Sequence, residues 1–199
     1  MAHIDIYLSP LSPYSYLAGT RAAEIAESHD AQITYKPLDV MGLFSRTGGT
    51  PPKDRHPSRQ AYRLQELRRQ SARTGLPLNQ KPMFWPTNPA PACYALISAQ
   101  KAGGGDLAGL VAALGRAVWA EERDIAEAEV IRAALEANGF DPDLADKGML
   151  SAAEEYARNL EDAVSAGVFG VPFYIVDGSE RFWGQDRLDD LDLHLSGKL

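Results

Sequence analysis

Ser12, Pro13, Tyr14 and Ser15 hold the spacing of a Cys-x-x-Cys redox pair, with serine at both ends. A thiolate is the nucleophile of thiol–disulfide exchange, and a hydroxyl cannot supply one. Sulfur chemistry at this turn therefore needs a ligand that brings its own thiol. Serine is a favoured N-cap and proline a favoured first helical residue, so Ser12-Pro13 also reads as a plain helix start. Ser9-Pro10 offers a competing start, but it leaves Pro13 inside the first turn, beyond its preferred place. With Ser12 as the cap, its hydroxyl lies beside free backbone N–H groups and the positive end of a helix dipole, a setting that stabilises an anion. Ser12 acting as a nucleophile would need a general base beside it. His3, His29, His56 and His194 are scattered, and none is near it in sequence.

The turn must be positioned by the elements around it. His3 to Leu8 alternates and is rich in β-formers, and Ile33 to Leu38 reads as a second strand. Between them, Leu17, Ala18, Ile25 and Ala26 give Tyr14 to Ser28 a helical pattern of about four turns. This β-α-β opening implies parallel strands. Thr47-Gly48-Gly49-Thr50-Pro51-Pro52 must be a loop. Helical patterns follow over Ser58–Thr74, Pro89–Ala102, Leu107–Trp119, Ala126–Asn138 and Ser151–Ala166. Gly75, Gly103-Gly104-Gly105 and Gly139 fall where C-caps belong. Strand character returns at Val171–Val176, then Asp177-Gly178 predicts a tight hairpin turn into Arg181-Phe182-Trp183. Asp186 to Leu195 reads as a closing helix. The order is β-α-β, a helical insertion, then β-β-α.

Composition narrows the functions available. A chain of 199 residues, 45% hydrophobic, can bury one sizeable core or one core plus an inserted subdomain. A net charge of -7 argues against nucleic acid, which favours a concentrated basic face. The basic cluster from Arg55 to Arg73 is local and reads as a solvated helix face. The single cysteine, Cys93, rules out an internal disulfide or a cysteine-based zinc cluster, so no metal is expected and a reducing compartment fits. Cys93 itself reads as a small core residue. No run reaches membrane-spanning length, and the first residues lack a signal-peptide pattern, so a cytoplasmic protein is expected. Gly103-Gly104-Gly105 lacks the following Lys-Ser/Thr of a phosphate loop and is a helix junction.

Four motifs, in order along nearly the whole chain, carry a resemblance. Leu11-Ser12-Pro13-Tyr14-Ser15-Tyr16-Leu17, Trp119 with Asp124-Ile125, Gly167 to Phe173, and Phe182-Trp183-Gly184-Gln185-Asp186-Arg187 resemble 2-hydroxychromene-2-carboxylate isomerases. Those enzymes stand with the kappa-class glutathione transferases in the DsbA-like branch of the thioredoxin superfamily. The resemblance implies an α/β thioredoxin-like fold made of residues 1–45 and 167–199, with residues 46–166 as an inserted helical domain. It also implies a homodimer and a cis peptide bond before Pro172, whose place at the start of a strand suits proline.

The site residues implied by the resemblance are as follows in this sequence. Ser12 corresponds to a catalytic serine that hydrogen-bonds the sulfur of bound glutathione and favours its thiolate. Val171 and Pro172 face the cysteinyl part, with Val171 offering its backbone, though a buried strand residue reads the same way. Gly184, Gln185 and Asp186 lie where relatives hold the γ-glutamyl end, Asp186 being equally readable as a helix cap. Arg59 lies near the place of a lysine that meets a carboxylate. Trp85 and Asn88, in Met83 to Asn88, resemble a segment bordering the substrate pocket, or pack an interdomain seam. Trp119 and Asp124 are pocket elements by resemblance and a helix end and cap by default. Gly49 and Thr50 stand where relatives often carry an Asn and a basic residue, so the contacts made there differ from the family pattern.

The expected function is a glutathione-dependent cis-trans isomerisation of a small aromatic carboxylate from aromatic degradation, with neither membrane nor nucleic acid as partner. A glutathione transferase using the same thiolate is a second enzyme reading. A thioredoxin-like binding or chaperone module that has lost redox activity is the non-enzymatic one.

Overall fold

A computed structural model describes all 199 residues. In chain order the elements are β1 (His3–Leu8), α1 (Pro13–Leu17), α2 (Arg21–Ser28), β2 (Gln32–Pro37), α3 (Val40–Thr47), α4 (Pro57–Thr74), α5 (Ala90–Ala102), α6 (Leu107–Trp119), α7 (Ala128–Ala137), α8 (Met149–Ser165), β3 (Phe173–Val176), β4 (Glu180–Trp183) and α9 (Leu188–Leu195). The strands form one sheet of order β2-β1-β3-β4. β1 runs parallel to β2 and antiparallel to β3, as a β-α-β unit followed by a hairpin requires. Asp177 and Gly178 both take positive φ, 47° and 72°, as the central residues of a turn closed by Ser179 N donating to Val176 O at 3.0 Å, within a three-residue hairpin loop.

Alternation along the strands sends side chains to two different cores. Ile4, Ile6, Tyr35, Tyr174, Val176 and Phe182 join one continuous core of 31 buried residues that includes Leu96, Leu110, Leu114 and Trp119 of the helical segment. The opposite face carries Tyr7, Phe173 and Ile175 into a smaller core with Leu38, Leu43 and Ala163. The sheet and the helices therefore share apolar burial. Gln100 on α5 also stitches the edge strand β2, accepting from Tyr35 N at 2.8 Å and donating to Tyr35 O at 3.0 Å. Buried Asn159 on α8 donates to Pro37 O at 3.0 Å. Both contacts answer backbone groups that an edge strand would otherwise leave open.

The structure departs from sequence expectation at three places. The single helix expected over Tyr14–Ser28 is two, because Gly19 adopts φ +57° and turns the chain between α1 and α2. α3 occupies residues just before the expected loop; Asp39 caps it by accepting from Met41 N at 2.9 Å, and Gly48 ends it at φ +77°. The expected boundary between residues 45 and 46 falls within this helix. The closing helix starts only at Leu188, after a single 3-10 turn over Gln185–Arg187. No helix is long and apolar enough to cross a membrane.

Candidate active site

Ser12 is the N-cap of α1, with extended backbone at φ -86° and ψ 120°. Its Oγ accepts from Ser15 N at 3.2 Å and donates to Val171 O at 3.3 Å. The Val171–Pro172 peptide is cis. Pro172 O in turn accepts from Gly184 N at 3.0 Å. Gly184 has φ +108°, and a Cβ there would lie 2.5 Å from Asp186 Oδ1, so glycine is required for this approach. A chain of hydrogen bonds thus brings Ser12, Val171-Pro172 and Gly184 together, and the Gln185–Arg187 turn packs against α1. Asp186 is exposed, with its carboxylate 3.3 Å from Arg187 Nη2. The two serines differ: Ser15 is buried, whereas Ser12 is half-buried.

Two indoles fix the backbone leading into Ser12. Trp119 Nε1 donates to Pro10 O at 3.1 Å, and Trp85 Nε1 donates to Leu11 O at 3.0 Å. The rings pack with centroids 5.7 Å apart. Trp119 is only 1% exposed, so its contribution is to position the Ser12 turn rather than to touch a ligand. Asp124 holds the segment after Trp85, accepting from Thr87 Oγ1 at 2.7 Å while capping its own turn through Ala126 N at 3.0 Å. Asn88 is exposed and accepts from Ala90 N at 3.1 Å, at the entry to α5. Gly49 packs on the Phe44 ring so closely that a Cβ would lie 2.3 Å from it. Thr50 is exposed, and its carbonyl accepts from Arg55 Nε at 2.8 Å.

Beside α1 lies an open cleft of about 340 Å³, lined by Tyr14, Arg55, Ser58, Arg59, Tyr62 and Arg63. Arg59 therefore sits among cations rather than alone. The Arg63 guanidinium lies 5.6 Å from the centroid of the Trp85 ring, which connects the cleft to the Ser12 turn. Burial, then the neighbouring guanidinium Arg59, lowers the pKa of Arg55. Burial likewise lowers Arg63, with Arg55 adding to the effect and Tyr14 opposing it. Burial raises the Tyr14 phenol, keeping it a neutral donor. Tyr14, Arg55 and Arg63 line this cleft with Arg59; from sequence, Tyr14 is only part of the Ser12 motif, and Arg55 and Arg63 are alternatives to Arg59 within a basic helix face. The four-residue spacing of Arg55, Arg59 and Arg63 was the available signal.

Cys93 is fully buried, and desolvation pushes its thiol up to about 12. No cluster of three or more His, Cys, Asp or Glu side chains converges on a point. The Ser12 turn therefore offers a hydroxyl donor, a cis-proline backbone and nearby cations, without a thiol of its own.

A four-stranded mixed sheet flanked by helices, with a cis-proline facing the start of the first helix, defines a thioredoxin-like α/β fold. The chain belongs to the DsbA-like thioredoxin domain family, whose model matches residues 3–196. Similar curated proteins include a 2-hydroxychromene-2-carboxylate isomerase of Sphingobium xenophagum, 28% identical over 195 residues and 96% of this chain and 97% of that one. A protein of the same name from Pseudomonas putida is 29% identical, covering 93% of this chain and 90% of that one. Among solved structures, a 2-hydroxychromene-2-carboxylate isomerase superposes with TM-score 0.77 and 26% identity, over 98% of this chain and 95% of that one. The cytosolic disulfide reductase DsbM from Pseudomonas aeruginosa shares the fold, with TM-score 0.70 and 19% identity over 98% of each chain.

Proposed function

We propose that this protein is a glutathione-dependent isomerase of an aromatic carboxylate such as 2-hydroxychromene-2-carboxylate. The observation that carries the reading is the Ser12 hydroxyl held 3.3 Å from the Val171 carbonyl at the cis-proline. The curated isomerases, aligned over more than nine-tenths of the chain, support the substrate class. Glutathione has a thiol, two carboxylates, an ammonium and two peptide groups, and the residues present suit it. Ser12 would meet the sulfur and Val171 the cysteinyl backbone. Gly184, Gln185 and Asp186 would hold the γ-glutamyl end, and Arg59 the glycyl carboxylate. When bound, glutathione supplies a thiolate that adds to a conjugated double bond and leaves after rotation about the resulting single bond.

Each residue then has a defined task. Ser12 gives its proton to the Val171 carbonyl in a long, neutral hydrogen bond, and turning that proton toward an anionic sulfur gains a charge-assisted one. The Val171 carbonyl becomes free to accept a ligand amide. Trp85 and Trp119 keep Pro10 and Leu11 in place, so the hydroxyl stays where the sulfur needs it. The aromatic segment at Trp85 orients the substrate ring. Disulfide exchange by the chain itself has no thiolate to start from, since Cys93 is buried and protonated.

Calorimetric titration of glutathione into the wild type and Ser12→Ala, with thiolate absorbance followed against pH, tests the reading. The expected result is binding by both, with the bound thiol more acidic in the wild type than in the variant. Absence of binding would sink the glutathione assignment, and an unchanged thiol pKa would reduce Ser12 to a helix cap. Product analysis with 2-hydroxychromene-2-carboxylate separates isomerase from transferase: a geometric isomer with glutathione unconsumed is expected, and a stable thioether adduct is the contrary outcome.

A further inference from the structure

The cleft beside α1 carries more positive charge than one carboxylate can answer. None of the ion pairs in the molecule includes Arg55, Arg59 or Arg63. Glu66, on the same helix, borders the cleft through Tyr62 Oη, from which it accepts at 3.3 Å, but its other partners are Gln70 Nε2 at 2.7 Å and Arg69, and it pairs with none of the three cleft guanidiniums. Other cations on α4 behave differently: Arg68, Arg69 and Arg73 are exposed, and Arg69 pairs with Glu66. Arg55 and Arg63 are half-buried, so each gives up part of its hydration without gaining a carboxylate: Arg55 bonds the neutral Thr50 carbonyl and Arg63 faces the Trp85 ring. A solvated helix face does not explain two half-buried guanidiniums turned onto a shared cavity.

Position divides the strip into two ends. Arg59 and Arg63 are one turn apart on α4, about 6 Å along its axis. Arg63 lies over Trp85 and beside the Tyr14 phenol, toward the Ser12 turn. Arg59 is the exposed member, at the outer part of the cleft. Arg55 is anchored by its Nε to Thr50 O and feels the field of Arg59 while acting on Arg63.

We propose that this strip separates two carboxylates: Arg63, with Tyr14 and the Trp85 ring, selects the carboxylate of the aromatic substrate, while Arg59 takes a carboxylate of the thiol ligand. The first half rests on the aromatic-carboxylate reading given above and the second on the glutathione reading. Arg63 is a specificity-determining residue in this scheme, and Arg55 keeps the field positive across both subsites. The planar ligand stacks near Trp85 while its carboxylate meets the guanidinium fork, a pairing that a lysine reproduces only as a point charge.

Calorimetry with glutathione, chromone-2-carboxylate and chromone-2-carboxamide, each titrated alone, tests the division on wild type, Arg63→Gln, Arg63→Lys and Arg59→Gln, with thermal melts verifying folding. The wild type is expected to bind the chromone acid at least about tenfold more tightly than its amide. Arg63→Gln should weaken the acid by about 10- to 100-fold while changing glutathione affinity less than about threefold. Arg63→Lys should recover part of that loss, and Arg59→Gln should show the opposite ligand pattern. Equal binding of acid and amide, binding of neither, or equal losses for both ligands in both Gln variants overturns the proposal. If wild type binds the acid but not glutathione, the glutathione reading and the Arg59 assignment fail together, and the Arg63 subsite stands or falls on the chromone series.

Discussion

The Ser12 corner and the arginine cleft flank the same short helix and have opposite polar economies. At the corner, the Ser12 hydroxyl accepts from Ser15 N and donates to Val171 O, while Gly184 answers Pro172 O. In the cleft, three guanidiniums converge without a carboxylate among the lining residues. A ligand entering the corner must compete with bonds already made, whereas one entering the cleft answers charge that is only partly hydrated. On the proposed reading, the corner would confer chemistry at modest binding gain, and the cleft affinity and selection without acting on the reacting atoms.

Ser12→Ala is the strongest way to separate the two. Losing the donor that stabilises developing sulfur charge is expected to lower isomerase kcat by about 10²- to 10³-fold. Loss of the helix cap should cost only about 1 kcal/mol of stability, read by urea denaturation. Chromone-2-carboxylate binding should be unchanged. A matching loss of acid binding would mean that corner and cleft are one site.

Trp119→Phe probes the scaffold that both regions share. It leaves the buried Pro10 carbonyl without its 3.1 Å donor and is expected to cost about 1–3 kcal/mol in urea denaturation. Activity should fall with it, because the backbone preceding Ser12 loses one of two anchors. Stability unchanged within error would show that the Trp85 contact alone fixes the turn.

Smaller effects sharpen the contrast. Raising ionic strength from about 0.05 to 0.5 M should weaken carboxylate binding in the cleft several-fold by screening, measured by calorimetry. Melting temperature of Ser12→Ala relative to wild type should hardly respond, since the corner's bonds are short-range and largely neutral. Affinity for the chromone acid should stay flat between about pH 6 and 10. Burial lowers the pKa of Arg55 and Arg63, which removes charge from the alkaline side, but guanidinium starts so high that both stay cationic in this window. Binding should decline only in acid, as the ligand carboxylate is protonated near about pH 4. A titration near neutrality would assign the contact to another group. The smallest expected effect is on Cys93: with its thiol pushed up to about 12, iodoacetamide at pH 8 should label it only after unfolding, as mass spectrometry can follow.

Local signals and long-range packing divided the legibility of this molecule. The strand over His3–Leu8 and the helix over Leu107–Trp119 stand where their periodicity puts them, because one buried face dictates both. The Asp177-Gly178 turn follows from conformational preference at two residues. α3 was not legible, since its short apolar spacing runs directly into Gly48-Gly49 and needs packing against α8 to be fixed. Ser12 was legible as the cap it is and, through resemblance, as a candidate functional serine. Trp119 was legible as an aromatic near the site, but its donation to Pro10 across 109 residues was not.

The sequence by itself determined that this chain cannot exchange disulfides at its Ser12-Pro13-Tyr14-Ser15 turn, because residue chemistry alone decides whether a thiolate exists there. It also determined the coarse order β-α-β, helices, then β-β-α through local periodicity and turn residues, apart from α3 and the break between α1 and α2. Only the tertiary structure decided that Ser12 meets the Val171 carbonyl, that Trp119 holds the backbone behind it, and that Arg63 turns onto Trp85 instead of into solvent. Those contacts join residues far apart in the chain. Their formation depends on which helix faces the shared core buries, a matter of packing that no local spacing encodes.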